Sequence, residues 1–95
     1  MLENDEPEVV RLPIDGVLDL HPFSPKDLKT LIPDYIDECL SLKIYEIRII
    51  HGKGIGNIRR SVHALLTENP HVIDFKIADQ EFGGWGATLV HLSPK

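Results

Sequence analysis

Ile44-Tyr45-Glu46-Ile47-Arg48-Ile49-Ile50-His51-Gly52-Lys53-Gly54-Ile55-Gly56-Asn57-Ile58 is the stretch that decides the fold of this chain. The alternation over residues 44–50 predicts a strand. Gly52, Gly54 and Gly56 predict a tight elbow, and Ile58, Val62, Leu65 and Leu66 then recur on one stripe of a helix. A strand that passes through glycine-rich chain directly into a helix leaves backbone N–H groups without intrahelical partners. It also aims the positive end of the helix dipole at whatever sits there. Such an elbow suits an anion, phosphate above all. Lys53 within it, and Arg59 and Arg60 in the first helical turns, would add side-chain cations. The run lacks both the spacing of a dinucleotide fingerprint and the Gly-Lys-Ser/Thr of a nucleotide-triphosphate loop.

Upstream, the turn signal Pro13-Ile14-Asp15-Gly16 introduces a strand candidate, Val17-Leu18-Asp19-Leu20-His21. With a period of two, Leu18 and Leu20 face one side while Asp19 and His21 share the other, toward the strand's C-terminal end. Ser24-Pro25-Lys26-Asp27 predicts a helix start, with Ser24 as N-cap, Pro25 at the first position and Asp27 completing a box-like cap. Pro33 predicts a kink, or a short helical turn followed by a second segment over residues 33–42, since its ring crowds the carbonyl of Lys29. Leu28, Leu31, Ile32, Tyr35, Ile36 and Leu40 recur at helical spacing and are expected in the core.

Downstream, Asn69-Pro70 stops the second helix, and strands are expected at residues 72–77 and 87–92 around a loop at residues 79–86. Right-handed crossovers then place both helices on one face of the sheet. The expected fold class is α/β: a two-layer β-α-β-α-β-β sandwich with a four-stranded mixed sheet.

The chain has 95 residues, enough for one core, with 42 % hydrophobic and 26 % charged residues, as in an ordinary globule. Its net charge of −5 argues against strong nonspecific nucleic-acid binding. Much of the acidity is local: Glu3, Asp5, Glu6 and Glu8 stand in the first ten residues, and the remainder carries 10 basic against 11 acidic residues. Residues 1–13 are therefore expected to form an acidic, flexible segment ahead of a single domain at residues 14–95. The one cysteine, Cys39, falls in a helical pattern and is expected to be a buried thiol. Apolar windows too short for a membrane span, and no signal-peptide pattern, lead to the expectation of a cytoplasmic protein. The lack of a coiled-coil repeat favours a monomer.

Phe82-Gly83-Gly84-Trp85-Gly86 contains the only tryptophan, set among glycines that would let its ring stand exposed as a stacking platform for a base. Leu18-Asp19-Leu20-His21, His51-Gly52-Lys53-Gly54 with Ile58-Arg59, and Gly84-Trp85-Gly86 before a final strand together resemble the small MutS-related (Smr) domain, over roughly residues 14–92. The resemblance implies the same two-layer fold, nucleic-acid binding and, for several members, endonuclease activity that nicks DNA or cleaves RNA, with structured or branched nucleic acid as partner. It implies Asp19 and His21 in cleavage, matches His51, Gly52 and Gly54 to the His-Gly-x-Gly motif, and matches Gly84, Trp85 and Gly86 to a motif of some branches. Pro22 stands where the family usually has glycine, and Gly83 where some members have threonine.

On this basis Asp19, His21 and His51 are the expected catalytic residues, with His21 oriented by Asp19 as general base and His51 as general acid. Gly52, Lys53, Gly54, Gly56, Arg59, Arg60, Gly84, Trp85 and Gly86 are the expected nucleic-acid contacts. The histidines lack the close spacing of a zinc site. Asp19 with His21 could hold a hard cation loosely, so Mg²⁺ dependence is the one cofactor expectation. The alternative is a noncatalytic nucleic-acid-binding or adaptor module using the same elbow.

Overall fold

The computed structural model describes residues 14–53, 56–82 and 84–94, so the acidic segment at residues 1–13 and Gly54 of the elbow lie outside the described residues. Strand β1 (Val17–Asp19) leads to helix α1 (Leu28–Ser41), β2 (Glu46–Ile50) to α2 (Asn57–Glu68), and β3 (Val72–Ile77) to β4 (Ala87–Leu92). The sheet order is β1-β2-β4-β3. β1 runs parallel to β2, and β4 runs antiparallel to both β2 and β3. This is the mixed four-stranded β-α-β-α-β-β arrangement expected from the hydrophobic periods.

Those periods also choose the face. Leu18 of β1, Ile47 and Ile49 of β2, and Val90 and Leu92 of β4 are buried in one cluster with Ile32, Ile36 and Leu40 of α1 and Val62 and Leu66 of α2. The alternating positions Asp19, Glu46, Lys76 and His91 are exposed on the uncovered side. Each apolar side chain in the cluster contributes roughly 1.5–3 kcal/mol by leaving water. Tyr35 ties α1 to β1: its hydroxyl accepts the N–H of Gly16 at 3.1 Å and donates to the carbonyl of Val17 at 3.2 Å. Burial pushes its phenol up to about 12. Cys39 is a buried free thiol beside it, and burial raises its pKa as well.

Three local expectations are corrected. β1 ends at Asp19 rather than at residue 21, although the N–H of Leu20 still reaches the carbonyl of Ile50 at 2.9 Å. The chain then turns, with the N–H of Phe23 donating to the carbonyl of Leu20 at 3.0 Å, because Pro22 has no N–H to extend a ladder. Ser24 precedes a short 3₁₀ turn, Pro25–Asp27, but its side chain makes no capping hydrogen bond.

The break in the first helical segment falls between Asp27 and Leu28, not at Pro33, and α1 runs through Pro33 as one helix. Ile32, Tyr35 and Ile36 are buried on either side of Pro33, so tertiary packing carries the helix across the missing hydrogen bond. No helix among the described residues is long and apolar enough to cross a membrane.

Candidate functional site

β1 and β2 are parallel and adjacent, so their C-terminal ends bring the Asp19-Leu20-His21 segment beside the elbow at His51-Gly52. The ring Nδ1 of His21 lies 2.6 Å from Asp19 Oδ1, and the His21 backbone N–H donates to the same oxygen at 2.9 Å. The backbone N–H first, and the ring second, hold the Asp19 carboxyl below the usual carboxylate range. A carboxylate only accepts, so Nδ1 carries the hydrogen and the lone pair of a neutral His21 is on Nε2. That Nε2 stands over Gly52: a Cβ built on Gly52 would lie 3.3 Å from it. Gly52 has φ +85°, so glycine is required there both by conformation and by the ring above it.

The elbow is braced from below by the Gly84–Gly86 turn. The carbonyl of Gly86 accepts the N–H groups of both His51 and Gly52, each at 2.9 Å. These two amides therefore face into the fold, not toward an anion as the strand-elbow-helix pattern suggests. Among the described residues, further donors lie at the start of α2, where Gly56 with φ +89° precedes Asn57 and no side chain caps the helix. Gly86 is close to the elbow as well as bonded to it, since a Cβ there would sit 3.4 Å from Lys53 Cγ and 3.6 Å from the carbonyl carbon of Gly52. Trp85, between the two glycines, is 65 % exposed. The Arg59 guanidinium carbon lies 5.4 Å from the centre of its ring, so α2 and the glycine turn present a joined cation and aromatic surface. Arg60 turns elsewhere and donates to Asn57 Oδ1 at 3.2 Å.

His51 is only 8 % exposed, and both its ring nitrogens are engaged. Nδ1 lies 3.0 Å from the carbonyl of Gly52 and Nε2 lies 2.8 Å from Thr88 Oγ1. Thr88 Oγ1 also lies 2.8 Å from His63 Nε2. Burial is the first cause that lowers the pKa of His51, and likewise of His63; the Arg59 charge lowers both further. At neutral pH both are uncharged, which leaves His51 poorly placed for the proton donation expected of it.

The sequence singles out neither Thr88 nor His63 for the site, and His63, on the helix face turned toward solvent or the site, is half-buried. The legible signal was Thr88 itself, a hydroxyl at an inward position of β4 in register with Val90 and Leu92.

His21 and His51 line a common cleft of about 180 Å³ with Leu20, Phe23, Pro25, Leu28 and Ile58. The cleft opens at the end of the parallel strands, between the starts of the two helical segments. The open sheet face, where Asp19 and His21 were first expected to look, carries a larger trough of about 790 Å³ edged by Val17, Arg48, Lys76, Leu89 and His91, and neither histidine of the cleft lines it. Among the described residues, no three His, Cys, Asp or Glu side chains converge as a metal site.

Known proteins share this frame. The Smr domain family model matches residues 18–93. Endonuclease MutS2 of Halothermothrix orenii is 33 % identical over 79 residues, covering 83 % of this chain. Endonuclease MutS2 of Solidesulfovibrio magneticus is 36 % identical over 76 residues, covering 80 %. The chain spans about 10 % of the length of these relatives. The crystal structure of the Smr domain of Thermus thermophilus MutS2 superposes with a TM-score of 0.78 at 28 % identity, covering 84 % of this chain and all of that one. YdaL, a stand-alone small MutS-related protein from Escherichia coli, gives 0.73 at 31 % identity, with 82 % and 64 % covered. With its strand ends, glycine elbow and Gly-Trp-Gly turn all inside the matched span, the chain belongs to the Smr domain family.

Proposed function

We propose that this Smr domain binds nucleic acid and cleaves phosphodiester bonds, nicking DNA or cutting structured RNA. The observation that carries the reading is the Asp19–His21 pair, whose hydrogen bond leaves the Nε2 lone pair of His21 directed over Gly52. An imidazole fixed by a carboxylate through one nitrogen, with the other free at the mouth of a cleft, is suited to general-base chemistry. His21 Nε2 takes the proton of a water or a ribose 2′-hydroxyl as that oxygen attacks phosphorus. The leaving oxygen departs with the electrons of the broken P–O bond and is protonated from solvent.

Lys53, Arg59 and the start of α2 hold the phosphate and offset charge that develops in the transition state. Trp85, with Arg59 against it, receives a base by stacking. His51 acts in this scheme through the shape of the elbow, since its two ring nitrogens are bound within the fold. The endonuclease name of the MutS2 relatives supports the reaction class.

The test incubates wild type, Asp19→Asn and His21→Ala with supercoiled plasmid and with a structured RNA, with Mg²⁺ and with EDTA. Cleavage by wild type should fall by about 10²-fold or more in His21→Ala, on the scale of a lost general base, while binding persists. Binding by wild type with no product in any arm would leave the noncatalytic adaptor reading in its place. Cleavage only in the Mg²⁺ arm would add a metal ion to the scheme.

A further inference from the structure

The Gly52 carbonyl can only accept, so the neutral His51 ring carries its hydrogen on Nδ1 and presents a lone pair at Nε2. Thr88 Oγ1, 2.8 Å from that lone pair, must donate its single hydrogen to it. The same oxygen then has only acceptor capacity left for His63, whose Nε2 lies 2.8 Å away and must carry a hydrogen. Every proton in the chain is thereby assigned: His63 Nε2–H to Thr88 Oγ1, Thr88 O–H to His51 Nε2, and His51 Nδ1–H to the Gly52 carbonyl. Thr88 is wholly buried, and His63 is held on its other side by the ring of Phe75, 4.8 Å between centroids. The chain links the middle of α2, strand β4 and the elbow, and it ends on the peptide of Gly52. That residue's other polar group, its N–H, is taken by Gly86.

We propose that Thr88 and His63 are positioning residues of the phosphodiester site: through His51 they fix the Gly52 peptide beneath His21 Nε2 and so set the distance between the base and the bound phosphate. The inference rests on the proposed cleavage activity for its functional half only; the proton order is a property of the protein alone. Neither residue touches substrate. Their effect passes through the elbow, where a displacement of an ångström costs roughly 10²-fold in rate.

The test begins with ring ¹⁵N spectra of the full chain without nucleic acid near pH 7.5. The expected result is the Nδ1–H tautomer for His51 and the Nε2–H tautomer for His63. The opposite tautomer at either ring overturns the proposal, whether or not the protein cleaves anything.

Thr88→Val and Thr88→Ser are then compared in the cleavage assay. Thr88→Val should lower kcat by about tenfold to a hundredfold with KM within twofold of wild type, and Thr88→Ser, which restores the donor and acceptor, should recover most of the rate. His63→Gln, whose amide can still donate to Thr88, should stay within about threefold of wild type while His63→Leu falls with Thr88→Val. Equal kcat in Thr88→Val and wild type would overturn the positioning role. Absence of cleavage by wild type itself would instead sink the proposed function and leave the tautomer result standing.

Discussion

At the scale of single residues, the site depends on groups whose side chains are small or absent. Gly52 combines φ +85° with a ring nitrogen 3.3 Å from where a Cβ would stand. Gly52→Ala is expected to cost about 1–2 kcal/mol of stability from the left-handed backbone alone. It should also push the His21 ring off its line to the elbow, so cleavage should fall further than in a surface variant of equal stability. Urea unfolding and the plasmid and RNA assays read the two effects separately, and a destabilised variant with undiminished cleavage would disconnect Gly52 from His21. The identities of Asp19 and His21 were legible as a two-residue spacing at a strand end. The second bond to Asp19, from the His21 backbone N–H, was not, because it forms where the backbone turns after the strand has ended.

At the scale of elements, packing overrode local preference in α1 and placed titrating groups in the seam between α2 and β4. Pro33 is carried inside a continuous α1. An interior proline costs a helix about 3 kcal/mol relative to alanine, while its loss returns up to about 1 kcal/mol of freedom to the unfolded chain. Pro33→Ala is therefore expected to stabilise the fold by up to about 2 kcal/mol, seen as a higher urea midpoint with an unchanged slope. The seam responds to pH in the opposite sense from a salt-bridged histidine. His51 and His63 titrate below the ordinary imidazole value of 6.5 in the folded state because burial disfavours their charge. The unfolded chain binds more protons as pH falls past that value, so their contribution is complete above about 6.5 and is lost progressively toward the lower folded values. Thermal midpoints should drop between pH 7.5 and pH 5, and by less in His63→Gln, which removes one of the two groups. An unchanged pH profile in that variant would mean His63 does not titrate in the seam.

For the molecule as a whole, charge sets how tightly so small a domain can hold a polyanion. Lys53 and Arg59 are the side-chain cations proposed to hold phosphate at the elbow, and two phosphate contacts correspond to a slope of about −1 to −2 in log K against log salt. Titration of labelled RNA or duplex, followed by Trp85 fluorescence, measures both the slope and the stacking. A slope near zero would place binding elsewhere, and one much steeper would require cations outside the elbow. The architecture, the strand-elbow-helix junction and the placing of Asp19 and His21 together at a strand end were all determined by the sequence itself. Periods of two and 3.6, turn residues and right-handed crossovers are local rules that act within a few residues. The tertiary structure alone decided what each polar group faces. Gly86 takes the amides of His51 and Gly52, Arg59 lies against Trp85, and Thr88 joins His51 to His63, because each of these contacts links elements far apart in the chain through sheet order and helix packing.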